Sequence, residues 1–254
     1  MELPDFRCFA DVERLEPGVL RLSPEESRHL AQVRRAGIGS EVMVLNGKGL
    51  RAWGRISGGE KKSVEVEIFR VETAERPTPE LSLYVGGLKQ AAWDEVLRYA
   101  GELGVNRLVW LQCDHAVAEL KKERVGEKCQ RWRDKLIQAL KQCGNPWLPE
   151  LEVLFSLEAS LEASGKAVTR LAASLEGSPV ELSEAWHGGA DGGIAVWIGP
   201  EGDFSEREYL LLKERGVIPV SLGPRILRAE TAVLATAAVL RLGGNGSGHQ
   251  RMRS

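Results

Sequence analysis

The residues of this 254-residue chain best suited to chemistry lie in two glycine-proline loops. The first, Ile198-Gly199-Pro200-Glu201-Gly202-Asp203-Phe204, follows an apolar run and precedes Ser205 and Glu208, which have the spacing of a helix capping box. Glycines at 199 and 202 permit backbone conformations and close ligand approach that side chains would block. The segment therefore reads as a strand-loop-helix ligand site at the carboxyl end of a parallel strand, where open α/β sheets bind their ligands. A glycine turn needed only for steric reasons is the alternative. The second loop runs Ser221-Leu222-Gly223-Pro224-Arg225-Ile226-Leu227-Arg228-Ala229-Glu230-Thr231. Gly223 and Pro224 sharpen the turn, while Ile226 and Leu227 offer apolar surface beside two guanidinium groups. Two such loops facing one crevice would make an apolar slot beside backbone amides, suited to adenine and a methionine chain. Neither GxGxxG nor GxxxxGK[ST] occurs, so the expected ligand is a nucleoside without phosphates.

Other chemistries find little support. Cys8, Cys113, Cys129 and Cys143 are scattered, with no CxxC pair and no histidine at ligand spacing, so neither a metal site nor a disulfide framework is expected. The charged N-terminus MELPDFRCFADVERLE is unlike a signal peptide, and no apolar run approaches membrane-spanning length, which predicts a cytoplasmic protein without a membrane partner. The formal charge of −2 means that any nucleic-acid surface must be a local patch.

Two kinds of pattern divide the elements that position the loops. Up to residue 72, short β-like runs (Arg7–Ala10, Val19–Leu22, Glu41–Leu45, Arg51–Ile56, Val64–Val71) surround one helix in SPEESRHLAQVRRAGIG, with Ser23 as N-cap, Pro24 at the first position and Gly37 as terminator. Asn46-Gly47-Lys48-Gly49 signals a hairpin whose tight turn takes its positive φ angles from Asn-Gly. Residues 73–80, polar and carrying two prolines, read as a linker. From 81 to 242 strands (Leu81–Val85, Arg107–Gln112, Leu151–Phe155, Val168–Ala173, Ile194–Ile198, Ile218–Leu222) alternate with helices (Ala91–Leu103, Glu127–Gln142, a short one, Glu206–Arg215, Ala229–Leu240), which predicts an α/β fold with a mostly parallel sheet covered on both faces. The last helix, AETAVLATAAVLRL, is apolar almost all round and predicts burial on every side, as a core helix with or without a place at a subunit interface. The tail 243–254 is expected to be flexible.

In combination, IGPEGDFSEREY, SLGPRILRAET and the upstream ELGV at Glu102 to Val105 resemble the RsmE-type family of 16S ribosomal RNA uracil-N3 methyltransferases of the SPOUT superfamily. RCFA and RHLAQVRRAGIGSEVMVLNGKG resemble that family's PUA-like RNA-binding domain, a small β-barrel-like module, so the likeness covers nearly the whole chain. The resemblance implies a deep trefoil knot in the C-terminal domain, S-adenosyl-L-methionine as cofactor, 16S ribosomal RNA or the small ribosomal subunit as partner, and a homodimer with the cofactor site near the subunit interface. Carried onto this sequence, the cofactor residues are Ile198, Gly199, Pro200, Glu201 and Gly202, then Leu222, Gly223, Arg225, Ile226, Leu227 and Arg228, with Thr231 opening the closing helix and Ala173 and Ser174 after an earlier strand. The chain departs from the family pattern at Arg98 and Tyr99, at His115 and Ala116, and at Asn145, where an arginine is missing.

Methylation at uracil N3 requires loss of a proton, and the resulting charge spreads over both carbonyl oxygens. A cationic donor would stabilise it, and Arg225 or Arg228 is the candidate; binding of RNA phosphate or a structural carboxylate is the other use of these arginines. Glu201 or Glu230 is placed to accept the proton, or else to cap a helix or pair with an arginine. Arg28, Arg34, Arg35, Lys48 and Arg51 make a candidate RNA-binding face on the N-terminal domain, with a solvated charged face as the alternative. His29, Trp53, Trp93, Trp132 and Trp147 would serve either base stacking or core packing. Two other functions fit the same residues: methylation of another RNA nucleotide by a related SPOUT enzyme, and a non-catalytic RNA-binding ribosome-assembly factor.

Overall fold

The computed structural model describes residues 4–30, 36–60, 62–165, 169–174, 178–186 and 192–243. It divides into two compact units: the chain up to Arg76 together with Asp134–Leu148, and Pro77–Arg133 together with the chain from Pro149 onward.

The first unit is built on a five-stranded sheet. Its strands are β1 (Phe6–Phe9), β2 (Gly18–Arg21), β3 (Glu41–Leu45), β4 (Leu50–Glu60) and β5 (Ser63–Thr73), ordered β1-β3-β4-β5-β2. Only the β1–β3 pair is parallel. Helix α1 (Pro24–Arg28) starts where expected, with the Ser23 hydroxyl accepting from the Glu26 amide at 3.3 Å; residues 31–35, and Arg34 and Arg35 with them, lie outside the described residues. The β3–β4 hairpin is present, but its turn corrects the expectation of a tight Asn-Gly turn. Positive φ falls on Gly47 and Gly49, while Asn46 Oδ1 accepts from the amides of Lys48 and Leu50 at 2.9 Å each, so a side chain organises a longer loop. Buried aliphatic groups such as Val42, Val44, Val66 and Ile68 fill one face of the sheet, while Ile137 and Leu140 of the returning segment pack with Phe9, Met43, Leu45 and Trp53. The same segment supplies Lys141, whose buried ammonium donates to Glu26 Oε1 at 2.6 Å, while Glu26 Oε2 accepts from the Phe9 amide.

The second unit has a fully parallel seven-stranded sheet. In chain order its elements are β6 (Leu81–Gly86), α2 (Gln90–Glu102), β7 (Arg107–Leu111), α3 (Val125–Cys143, whose C-terminal part lies in the first unit), β8 (Glu150–Leu154), α4 (Leu157–Ala163), β9 (Thr169–Ala173), β10 (Val180–Glu181), α5 (Leu182–Ala185), β11 (Ile194–Ile198), α6 (Glu206–Glu214), β12 (Ile218–Ser221) and α7 (Ala229–Leu242). Strand order is β10-β12-β9-β11-β6-β7-β8. The α/β class expected from alternation is therefore the observed one, and β11, buried at every residue, is its central strand. The sequence reading missed β10 and α5: two exposed strand residues and a four-residue helix are too short to carry a period.

Helix α7 departs from expectation. Ala229, Ala232, Val233, Thr236, Ala237 and Leu240 are buried, but Val239 is 36% exposed and Leu242 73% exposed, so within one chain the helix buries one face only. Apolar composition all round set the expectation; the described residues put no second layer over the other face. Among the described residues no helix is long and apolar enough to cross a membrane.

Candidate active site

Because β12, β9 and β11 are parallel neighbours, the loops that follow them leave the same edge of the sheet. Together with the start of α7 they enclose a cavity of about 280 Å³. Ala173 and Ser174 after β9, Ile198, Gly199, Pro200 and Glu201 after β11, and Leu222, Gly223, Arg225, Ile226, Leu227 and Arg228 after β12 all line it. Residues marked in three separate stretches of sequence thus meet around one space. Gly202 and Thr231 do not: Gly202 packs against His115, and Thr231 is exposed on α7. Asp203, Ser221 and Ala229, quoted within the loops but not among the expected cofactor residues, also line it, as do Val220 and Ala232.

The first loop is rigidly organised. The Asp203 amide donates to Pro200 O at 2.9 Å, and Asp203 takes φ 61°, a left-handed conformation that aspartate tolerates better than most residues. Its carboxylate accepts from the Phe204 amide and from the Tyr209 hydroxyl, both at 2.8 Å. A Cβ on Gly199 would stand 3.0 Å from Asp203 Oδ1, so only glycine lets this turn close without displacement. Gly86, at the end of β6, is equally constrained, since a Cβ there would lie 2.5 Å from the Pro200 ring and nitrogen. The capping box of α6 is formed in both directions by Ser205 and Glu208.

A latch joins this loop to the segment after β7. Ser205 Oγ donates to Asp114 Oδ2 at 2.7 Å, and Arg207 reaches Asp114 Oδ1 and Glu158 Oε1, each at 3.2 Å. Buried Glu208 accepts from the amides of Asp114 (3.0 Å) and Ser205 (2.9 Å). The Ser205 hydrogen bond, then Arg207, holds the Asp114 carboxyl below its ordinary pKa. His115 Nδ1 lies 3.2 Å from Gly202 O. Asp114 escaped sequence reasoning because its partners are some ninety positions away in the chain (|i−j| = 91 for Ser205).

The second loop is more open. The Gly223 amide donates to Ser221 Oγ at 3.1 Å, and φ of 111° at Gly223 excludes other residues. Beyond it the side chains project: Ile226 is 80% exposed, and Arg225 and Arg228 are exposed with no ion-pair partner among the described residues. Glu201 is exposed and likewise unpaired. The cavity therefore offers aliphatic walls, backbone amides, two free guanidinium groups and one free carboxylate.

The other candidates are dispersed. In the first unit Arg28 is exposed, Lys48 pairs with Glu13 at 2.5 Å, and Arg51 is half-buried with Nε lacking a partner, its pKa lowered by burial. Trp53, Trp93 and Trp132 are core residues, whereas Trp147 is partly exposed and lies over Gly49. Of the positions that depart from the family pattern, Arg98 pairs with Glu95 (2.5 Å) and Glu102 (3.2 Å) on α2, and Asn145 Oδ1 accepts from the Trp147 amide at 3.0 Å. Among the described residues no group of three or more His, Cys, Asp or Glu side chains is arranged to hold a metal ion.

Comparison with known proteins places the chain in a family. Residues 66–241 match the family model described as an RNA methyltransferase domain, and residues 22–69 match that of the RNA methyltransferase PUA domain. Ribosomal RNA small subunit methyltransferase E 2 of Borreliella burgdorferi is 29% identical over 84% of this chain and 86% of its own length. Ribosomal RNA small subunit methyltransferase E of Aquifex aeolicus is 26% identical over 90% and 96%. Among solved structures, the enzyme of that name from Neisseria gonorrhoeae, bound to S-adenosyl methionine, superposes with a TM-score of 0.84 at 27% identity, covering 95% of this chain and 98% of its own. A putative methyltransferase from Legionella pneumophila, in complex with the cofactor SAM, gives the same TM-score at 29% identity, covering 94% and 98%. With a methyltransferase model spanning most of the chain, its PUA companion matched before it, and the marked loops gathered around one cavity, the chain belongs to the RNA methyltransferase family.

Proposed function

We propose that this protein methylates N3 of a uracil in 16S ribosomal RNA with S-adenosyl-L-methionine as methyl donor. The observation that carries the reading is the convergence of Ile198–Glu201, Leu222–Arg228 and Ala173–Ser174 on one cavity, in a chain that superposes on solved relatives bound to that cofactor. The lining suits the molecule: Leu222, Ile226 and Leu227 supply apolar contact for an adenine, the glycine loops supply backbone polar groups, and nothing there resembles a phosphate cradle. Bound there, the cofactor supplies an electrophilic methyl group on sulfur. The chain's own residues do the rest. Arg225 and Arg228, unpaired at the rim, stabilise the negative charge that develops on the uracil oxygens as N3 loses its proton. Glu201, exposed on the first loop, is the group in place to take that proton. The acceptor base must leave its stack to enter the cavity.

In this reading residues 1–72 hold the RNA, with Arg28, Arg34, Arg35, Lys48 and Arg51 as contacts, residues 73–80 connect, and residues 81–242 carry catalysis, followed by the tail 243–254. Residues 244–254 lie outside the described residues. The enzyme acts in the cytoplasm as a homodimer, paired through the exposed face of α7 that carries Val239 and Leu242. That same helix lines the cavity with Ala229 and Ala232, so pairing and cofactor binding share one element. Two measurements test the proposal. Calorimetry should show S-adenosylmethionine binding, and mass-spectrometric mapping of uridines in small-subunit RNA from a deletion strain should show one N3-methyl mark that returns when the protein is restored. Absence of both would refute it.

A further inference from the structure

The cavity occupies only one side of the sheet's carboxyl edge. On the other side, the segments after β7 and β8 expose a second set of groups. Phe155, the residue after β8, is 36% exposed, and Lys122 Nζ stands 5.4 Å from its ring centroid. That contact places the turn Lys122–Arg124 at this edge of the sheet. Lys121, Lys122 and Arg124 are all exposed, and none makes an ion pair among the described residues. Val117, 48% exposed, adds apolar surface in the same segment. The acidic neighbours Glu119 and Glu123 leave the stretch 119–124 with one net positive charge, three cations against two anions. Asp114 and Glu158, also at this edge, are already engaged by Arg207.

Since β8 is three strands from β11 in the sheet, the platform lies roughly 15 Å from the glycine loop at the usual strand spacing. An exposed aromatic ring under a lysine, flanked by unpaired cations, is the combination that binds single-stranded nucleic acid: the ring stacks on a base and the cations meet phosphates. A protein partner would be served by a larger apolar patch with fewer charges at its centre. We propose that the RNA strand flanking the acceptor base runs along this edge, with one base stacked on Phe155 and its phosphates held by Lys121, Lys122 and Arg124. This rests on the methyltransferase reading for why RNA is present at all.

The test uses the full chain and a fluorescein-labelled oligouridine RNA of about 12 nucleotides, within the site sizes of single-strand binders. F155A should weaken its binding about tenfold and F155W should restore it, because stacking needs a ring rather than this particular one. The triple charge reversal K121E/K122E/R124E should weaken binding further and flatten its dependence on salt by ~2 in logarithmic slope. All variants should bind S-adenosylmethionine in calorimetry as the unaltered protein does, which also shows that they are folded. Unaltered oligouridine affinity in F155A and in the triple variant would overturn the proposal. A protein that binds the RNA through Phe155 but never binds S-adenosylmethionine would instead sink the methyltransferase reading and leave this surface standing.

Discussion

The two edges of the parallel sheet in the second unit are finished in opposite ways. At the amino edge, polar side chains close the strand ends. Buried Asn106 accepts from the Leu81 amide at 2.8 Å and donates to Pro77 O at 3.1 Å. Arg241, near the end of α7, donates to Pro79 O (2.6 Å), to Gly104 O (2.8 Å) and to Asn106 Oδ1. Burial pulls the pKa of Arg241 down to about 10, still far above neutrality, so the group stays charged in a solvent-poor site. At the carboxyl edge, Arg225, Arg228, Glu201 and Ile226 are exposed, and the three charged groups have no ion-pair partner among the described residues. The amino edge directs its side-chain donors at backbone carbonyls, whereas the carboxyl edge combines the Asp114 latch with exposed groups that have no partner among the described residues.

Substitutions at each edge should therefore move different observables. The largest effect is expected from Arg228→Ala: single-turnover methylation at saturating cofactor should fall about 10²–10³-fold with the melting temperature unchanged. An unchanged rate would remove Arg228 from the chemistry. Next, Asn106→Ala at the amino edge should cost about 3 kcal/mol of stability in denaturant titration, because it strands the Leu81 amide, Pro77 O and part of the Arg241 guanidinium. Cofactor affinity of the folded fraction should hold, and its loss would break the separation of edges. Gly86→Ala should cost less, about 2 kcal/mol, because its Cβ would press on Pro200 and shift the glycine loop. Calorimetry should show weakened S-adenosylmethionine binding there, unlike Asn106→Ala. The smallest effect concerns the Asp114 latch. Its carboxyl pKa is depressed in the fold, so the latch is intact above the ordinary aspartate range and is lost as pH falls through the lowered value. Cofactor affinity of the unaltered protein should accordingly stay flat down to about pH 4 and weaken below. Asp114→Asn should lower it severalfold at neutral pH and abolish that acid limb.

Much of the C-terminal unit could be read in advance because its strands are continuous apolar runs and its helix starts carry caps. Ile194–Ile198 is observed with the expected bounds, as Glu41–Leu45 is in the first unit, and the Ser205–Glu208 box forms as drawn. Local chemistry decides such features. Legibility failed where a decision belonged to distant chain. The Asp114–Ser205 hydrogen bond, the closeness of Gly86 to Pro200 and the return of Asp134–Leu148 to the first unit are invisible in any short window. Helix α7 shows the limit from the other side: composition predicted burial all round, yet the described residues cover only one of its faces.

By itself the sequence determined the types of groups available: two glycine-proline loops, two arginines beside them, a strong helix cap, and no phosphate-binding or metal-binding pattern. Propensity, capping and backbone sterics act over a few residues, so those features survive reading one residue after another. Only the tertiary structure decided that three of the loops share one cavity, which marked residues line it, and that Asp114 fastens the first loop. Those outcomes depend on strand order in the sheet, and strand order is set by packing between segments that the sequence holds far apart.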